Sequence, residues 1–324
     1  MSERTIADHA GPLGLDRYAS RVRGPRPTPR RTGRRWRALV WVIPGLAVVL
    51  LFVYYPLLLN FRYSVSELNL FTGELSFVGL DNYTRMAGDP VFWRSLVNNV
   101  VYAAISIVFQ VFFSLVLAAV IESQVKSGRW RGALRSIYFL PSAMSLTVTG
   151  LLFSFIYQPQ GGLLNGILDA VGLEHLQQAW LGNSSTAMLA IIAMSQWQGF
   201  GYTTLLFAVA IQRIPNEIYE AASIDGVGPF RQIFTVTVPL IREMTGLMMI
   251  VTMSGAFQVF NEVMVMTSGG PDNSTHVLGT WLYRSGFVKN DFGYAAAIAV
   301  VIFVITLALA VVQVRYTSRK RVTW

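Results

Sequence analysis

Two short runs place hydrogen-bonding side chains where the surrounding sequence is almost wholly apolar: SQWQGFGYTTLL at 195–206 and MSGAFQVFNEV at 253–263. In the second, Ser254, Phe257, Gln258 and Asn261 fall at i, i+3, i+4 and i+7, the spacing that puts side chains on one face of a helix. Such a face presents a hydroxyl, two amides and an aromatic ring. Sugars need that combination, hydrogen bonds for their hydroxyls and a flat apolar surface under the ring C–H groups. The same residues would also serve as polar glue between neighbouring helices in a membrane. The residue types support both readings.

Several other chemistries are excluded. There are no cysteines, so thiolate catalysis, iron–sulfur clusters and Cys-type zinc sites are out. The three histidines, His9, His175 and His276, are scattered, which argues against a His-based metal site. No GxxxxGK[ST] loop is present, so any ATP used would have to bind another chain. Ion-coupled carriers commonly place acids or histidines in the membrane core, and none lies well inside an apolar stretch here. An intramembrane enzyme needs paired acids or metal ligands, whereas Glu217, Glu220 and Asp225 sit in a polar loop without metal spacing. Glu262 adjoins the end of an apolar stretch, where it would reach an outer mouth or pair with a basic group of a partner.

The elements that must position these groups follow from composition. Of 324 residues, 53% are hydrophobic and only 13% charged, against roughly 25% charged in an ordinary soluble domain. Six mostly apolar stretches of 18 residues or more lack any Asp, Glu, Lys, Arg or His: 38–61, 95–121, 136–165, 186–212, 244–261 and 292–314. About 20 helical residues cross a bilayer core. The expected fold class is an all-α membrane protein with six transmembrane helices. With both termini on one side, the segments on that side (1–37, 122–135, 213–243 and 315–324) hold 21 Lys and Arg and those opposite hold 5. The resulting charges are +13 and −4, which predicts cytoplasmic termini by the positive-inside bias. The expected organisation is a disordered basic tail over 1–36, a membrane domain over 37–316 and a cytoplasmic tail over 317–324. The Arg-rich tail reads as a topology signal in contact with lipid headgroups, not as a nucleic-acid site. The amphipathic spacing of 163–171 predicts a short interfacial helix.

The loop at 213–243, RIPNEIYEAASIDGVGPFRQIFTVTVPLIRE, is built as a helix–turn–helix. Pro215 suits a helix start, Glu217 and Glu220 suit the positive end of its dipole, and Gly226 sits where a C′ glycine would end it. Pro229 can open a second short helix, and Pro239 marks the next break. Small residues at 221–223 would let another surface approach closely. An amphipathic linker lying on headgroups is the competing interpretation.

Glu220-Ala221-Ala222, three residues, Gly226, nine residues, then Val236-Thr237-Val238-Pro239 resembles the EAA motif of importer-type ABC transporter permeases, with Val236 for Ile and Val238 for Leu as the departures. GGPDNSTHVLGTWLY and GYAAAIAVVIF look like the carbohydrate-importer, maltose-type branch. The resemblance implies the type I ABC importer permease fold. It implies that Glu220, Ala221, Ala222, Asp225, Gly226 and Pro239 belong to a loop that docks into a separate ATPase subunit, with Glu220 facing a basic residue there. It implies a second homologous permease, two ATPase subunits that bind ATP and Mg, an extracellular solute-binding protein, and no cofactor in this chain. It also implies sugar contacts from Gln198, Gly199 and Tyr202 in one helix and from Ser254, Phe257, Gln258 and Asn261 in another. Gln258 stands for an Asn of the family pattern and Gln198 for an apolar residue. A neutral di- or oligosaccharide is the expected cargo, with glycerol phosphate as the rival.

Overall fold

The computed structural model describes the backbone of residues 33–68, 72–125 and 127–318. Residues 1–32 of the predicted basic tail and the chain's last six residues lie outside that range, while 33–36 of that tail begin a helix. The chain divides into two compact units after Pro56. The first contains helix α1 (Gly33–Val49), which carries Pro44 and runs on through a π-helical turn at Leu50–Tyr54. Helix α2 (Tyr55–Ser64) begins at the boundary.

Among the described residues, the regular structure of the second unit is helical apart from one hairpin, which was not expected from the sequence. Strands β1 (Ser66–Leu68) and β2 (Leu75–Phe77) pair antiparallel, with Ser66 opposite Phe77 and Leu68 opposite Leu75. After it come α3 (Asp81–Ala87), α4 (Pro90–Ser106) and α5 (Ser114–Gln124), with a π-helical segment at Ile107–Phe113 joining the last two. The chain continues through α6 (Gly128–Phe139), α7 (Leu146–Ile156), α8 (Leu163–Ala170) and α9 (Ala187–Ile211). Helix α8 is the expected short amphipathic helix. The loop helices α10 (Asn216–Ile224), α11 (Pro229–Gln232) and α12 (Val238–Leu240) precede α13 (Arg242–Phe257), α14 (Asn261–Met266), α15 (Leu278–Tyr283) and α16 (Phe292–Ser318).

Trp41–Ser64, Pro90–Gln124 and Phe292–Val312 are long and apolar enough to cross a bilayer as single helices. Two further helix pairs are long and apolar enough together but bent, by 93° between Gly128–Ala143 and Leu146–Ile156, and by 74° between Pro229–Leu240 and Arg242–Phe257. The first bend falls within the expected 136–165 stretch, and the second lies before the 244–261 stretch, at the break expected of Pro239. Pro141 and Pro239 lack the N–H that a continuing ladder needs, and each lies close to its bend. The sixth apolar stretch is α9. Its 25 residues reach about 37 Å, enough to cross, although its middle is polar. The polar middle is tolerated because α9 is an interior helix, where protein can satisfy what lipid cannot.

A bilayer gives little hydrophobic drive for helix association, so close packing of small residues carries much of it. Helix α5 lies along α9 with Ala118, Ala119 and Ala208 all buried, beside Leu115, Phe207 and Ile211. Toward the other end of α9, Ile191, Ile192 and Met194 pack with Tyr102, Val259 and Val263. A third cluster joins Phe92, Phe257, Leu278 and Trp281 to Ala297 and Ile298 of α16.

Candidate functional site

Helix α9 supplies one wall of a cavity, and the turn at 138–144 fixes it there. The Ser142 hydroxyl donates to the Gln198 carbonyl at 2.7 Å and accepts from the Tyr202 amide at 3.0 Å. These are the i and i+4 groups that one helical rung would pair, so a serine side chain sits inside the ladder. A Cβ on Gly201 would lie 1.9 Å from the Tyr138 carbonyl oxygen, so only glycine lets this turn come so close. Gln198 Nε2 donates to the Met144 carbonyl at 2.9 Å. Behind it runs a chain of amides, with Gln110 donating to Gln196 and Gln196 to Ser106, each at 3.0 Å. Gln110 lies on the π-helical segment, and a Cβ on Gly199 would come within 2.7 Å of its Nε2.

The opposite wall comes from α13, the break after it, and α4. Helix α13 ends at Phe257, Gln258 caps it, and Phe260 (φ −150°, ψ −56°) turns the chain into α14. The predicted single face through Asn261 therefore does not exist, because the helical spacing stops applying at Gln258. Met248, Thr252, Gly255, Val259 and Glu262 line the cavity instead. The Tyr102 hydroxyl donates to Glu262 Oε1 at 3.2 Å and shares a short hydrogen bond with Ser195.

The cavity is open on one side and measures about 370 Å³, within the size range of small-molecule sites. Of the residues expected to meet a ligand, Gln198, Gly199 and Tyr202 line it together. Ser254, Phe257, Gln258 and Asn261 do not. Phe257 is buried in the α16 cluster, Ser254 is half-buried, and Gln258 and Asn261 are exposed. Ser142, Tyr102 and Thr252 are lining residues that sequence reasoning missed. No lone spacing signal marks them, since each comes from a different helix or turn.

Neighbouring asparagines of α4 hold the broken end of α13. Asn99, fully buried, donates to the Ala256 carbonyl at 2.7 Å and accepts from the Leu278 amide at 2.9 Å. These are a carbonyl at a helix end and an amide at a helix start, groups the helices themselves leave unpaired. Asn98 donates to the carbonyls of Ser274 and His276. In the same loop the buried His276 ring packs against Trp281, with Nδ1 on the Thr280 hydroxyl and Nε2 3.4 Å from Arg284. Burial, then the charges of Arg284 and Lys289, push this imidazole down to about 4. Asp89 caps α4 through the Val91 amide and accepts from Trp281 and Tyr294. Burial pushes its carboxyl up, and the hydrogen bonds from Tyr294, Val91 and Trp281 more than offset it, so it titrates below the ordinary aspartate range.

The loop at 213–243 is a second candidate surface. Helix α10 ends in a Schellman turn, with the Val227 amide bonded to the Ala222 carbonyl at 2.9 Å and the Gly226 amide to that of Ser223 at 3.1 Å. Gly226 is at φ +78°, the left-handed conformation expected of it. Pro229 opens α11 and Asp225 caps α10. Glu220, Ala221, Asp225 and Gly226 are exposed, as are Ile224 and Phe230, while Ala222 is half-buried. Inside the turn, Gln232 donates to Ser223 Oγ and to the Val227 carbonyl, each at 2.9 Å, and the Tyr219 hydroxyl meets that of Thr237 at 3.0 Å. Burial raises the Tyr219 phenol above its ordinary value. Gln232 was not foreseen, and a single polar residue among Pro, Phe and Ile gives no motif.

Residues 110–322 match the family described as binding-protein-dependent transport system inner membrane component. The chain is 49% identical over 277 residues, 86% of its length and 94% of the relative's, to "Probable ABC transporter permease protein YurN" of Bacillus subtilis. It is 33% identical to the diacetylchitobiose uptake system permease protein NgcF of Streptomyces coelicolor, covering 89% of this chain and 85% of that one. Its fold is similar to a chain of a bacterial ABC transporter for import of the acidic polysaccharide alginate, with TM-score 0.77 and 21% identity over 89% of this chain and 96% of that one. The apolar spans, the EAA spacing folded as a capped helical turn, and these likenesses have one conclusion: the chain belongs to the binding-protein-dependent transport system inner membrane component family and is a membrane permease of the ABC transporter class.

Proposed function

We propose that this permease carries a neutral di- or oligosaccharide inward, with the cavity between α9 and α13 as its part of the path. The observation that carries the reading is the cavity lining, which combines the hydroxyls of Ser142, Ser195 and Thr252 and the amide of Gln198 with the Tyr202 ring and includes no Lys, Arg or His. A phosphate ester such as glycerol phosphate would call for cations or a cluster of donors, so this lining favours the uncharged cargo. Several neutral hydrogen bonds of about 0.5–1.5 kcal/mol each suit a site that must also release what it holds. Ser254, Gln258 and Asn261 would meet cargo where a second, homologous permease completes the path. Uptake of labelled diacetylchitobiose-like and maltose-like disaccharides, beside glycerol phosphate, tests this in a strain lacking other importers. Gln198→Ala and Tyr202→Ala should lower sugar uptake at least several-fold without loss of complex assembly. Uptake of the phosphate ester alone would sink the reading.

The loop around Glu220 docks on a separate ATPase that binds ATP and Mg, and an extracellular binding protein delivers cargo on the opposite side. Both termini are cytoplasmic. Support comes from the exposed Glu220, Ala221, Ile224 and Asp225 on a helix whose end is pinned by Gly226, and from the charge asymmetry of the segments. Glu220→Lys, at an exposed position, should abolish transport and loosen the ATPase while the permease stays in the membrane. Normal transport by that variant would rule out the docking assignment.

A further inference from the structure

We propose that Glu262 selects cargo by charge, so that the cavity admits neutral and cationic sugars and turns away anionic ones such as uronates and sugar phosphates. This rests on the reading of the chain as a sugar-importer permease and names the substrate class more narrowly. Among the residues that line the cavity, Glu262 is the one acid, and no Lys, Arg or His balances it. Its position is fixed. Oε1 accepts from Tyr102, whose side chain is buried and held in turn by Ser195. Glu262 lies in the first turn of α14, a helix that exists because the chain breaks at Gln258–Phe260, so the break aims the carboxylate into the cavity. A carboxylate can only accept hydrogen bonds. It meets sugar hydroxyls and ammonium groups favourably and repels carboxylate and phosphate, and low-dielectric walls strengthen that repulsion.

A rival explanation is that Glu262 only ties α14 to α4 through Tyr102. Glu262→Gln separates the two, because its amide oxygen can still accept from Tyr102 while the charge is gone. The experiment uses the assembled transporter in nanodiscs without its binding protein, so that only the membrane site is read. Saturation-transfer NMR suits weak ligands, and the probes are N,N′-diacetylchitobiose, the diamine chitobiose and a glucuronate-containing disaccharide. In the wild type the diamine should bind at least tenfold more tightly than the glucuronate, and added salt should narrow the gap. Glu262→Gln should bring the charged probes together, the diamine losing and the glucuronate gaining relative to the neutral probe, whereas Tyr102→Phe should keep the charge order. Equal wild-type binding of the glucuronate and neutral probes overturns the proposal whether or not the variant folds. An equal change for all three probes in Glu262→Gln also overturns it and leaves Glu262 a positioning contact. If no neutral sugar binds the wild-type site, the sugar-importer reading itself fails, which is a distinguishable outcome.

Discussion

The two walls of the cavity begin from similar sequences and end as different structures. Both α9 and the 244–266 segment are apolar stretches interrupted by amides, hydroxyls and glycine. Helix α9 runs unbroken for 25 residues because its neighbours meet its polar groups: Ser142 at Gln198 and Tyr202, and Ser114 at the Phe200 carbonyl. The other segment stops at Phe257, because Asn99 takes the Ala256 carbonyl and binds the Leu278 amide instead. Whether a polar interruption leaves a helix whole or ends it is thus decided by which side chain of another helix reaches it.

The largest expected effect lies on the unbroken wall. Gly201→Ala puts a carbon where the Tyr138 carbonyl oxygen sits 1.9 Å away, a backbone atom that cannot swing aside. We expect a loss above about 4 kcal/mol, seen as failure to recover assembled transporter by size exclusion. Normal recovery would show that the 138–142 turn is not locked to α9. On the broken wall, Asn99→Ala strands a buried carbonyl and a buried amide. At about 1–3 kcal/mol for each unsatisfied group, the sum is roughly 2–6 kcal/mol. Thermal unfolding of the purified complex measures it, and a change below about 1 kcal/mol would mean the break does not depend on Asn99.

The loop beside the broken wall should also respond to acid, and α9 should not. The His276 pKa is depressed from an ordinary 6.5 to about 4, so the neutral ring is the form the fold prefers. Its contribution is fully present above pH 6.5 and is lost as pH falls toward 4, by up to about 3 kcal/mol. Protection factors across 267–283, taken relative to the intrinsic exchange rate at each pH, should therefore fall over that window, and His276→Gln should remove the dependence. Unchanged protection factors between pH 7 and 4 would contradict the buried neutral ring. The smallest effect is expected for Ser142→Ala. It removes two hydrogen bonds to α9, and the two backbone groups can close their own rung, so the loss should be about 1–2 kcal/mol. A drop as large as that of Asn99→Ala would erase the contrast between the walls.

What could be seen in the sequence was local. Composition and the six uncharged stretches gave a helical membrane protein. Gly226, Pro229 and the first-turn acids gave the α10 turn, because capping and left-handed glycine act over a few neighbouring residues. Gln198, Gly199 and Tyr202 came together as expected because α9 stayed a helix. The bend near Pro239 was also legible, as the break a proline marks. The bend after Ala143, the displacement of Ser254, Phe257, Gln258 and Asn261 from the cavity, and the arrival of Glu262 there were decided by the tertiary structure. The last two depend on side chains far away in sequence: Asn99 takes up the backbone groups at the break, and Tyr102 holds the Glu262 carboxylate. Sequence periodicity assumes an unbroken ladder, and in a membrane interior without water the only groups able to replace a missing rung are those that packing brings near.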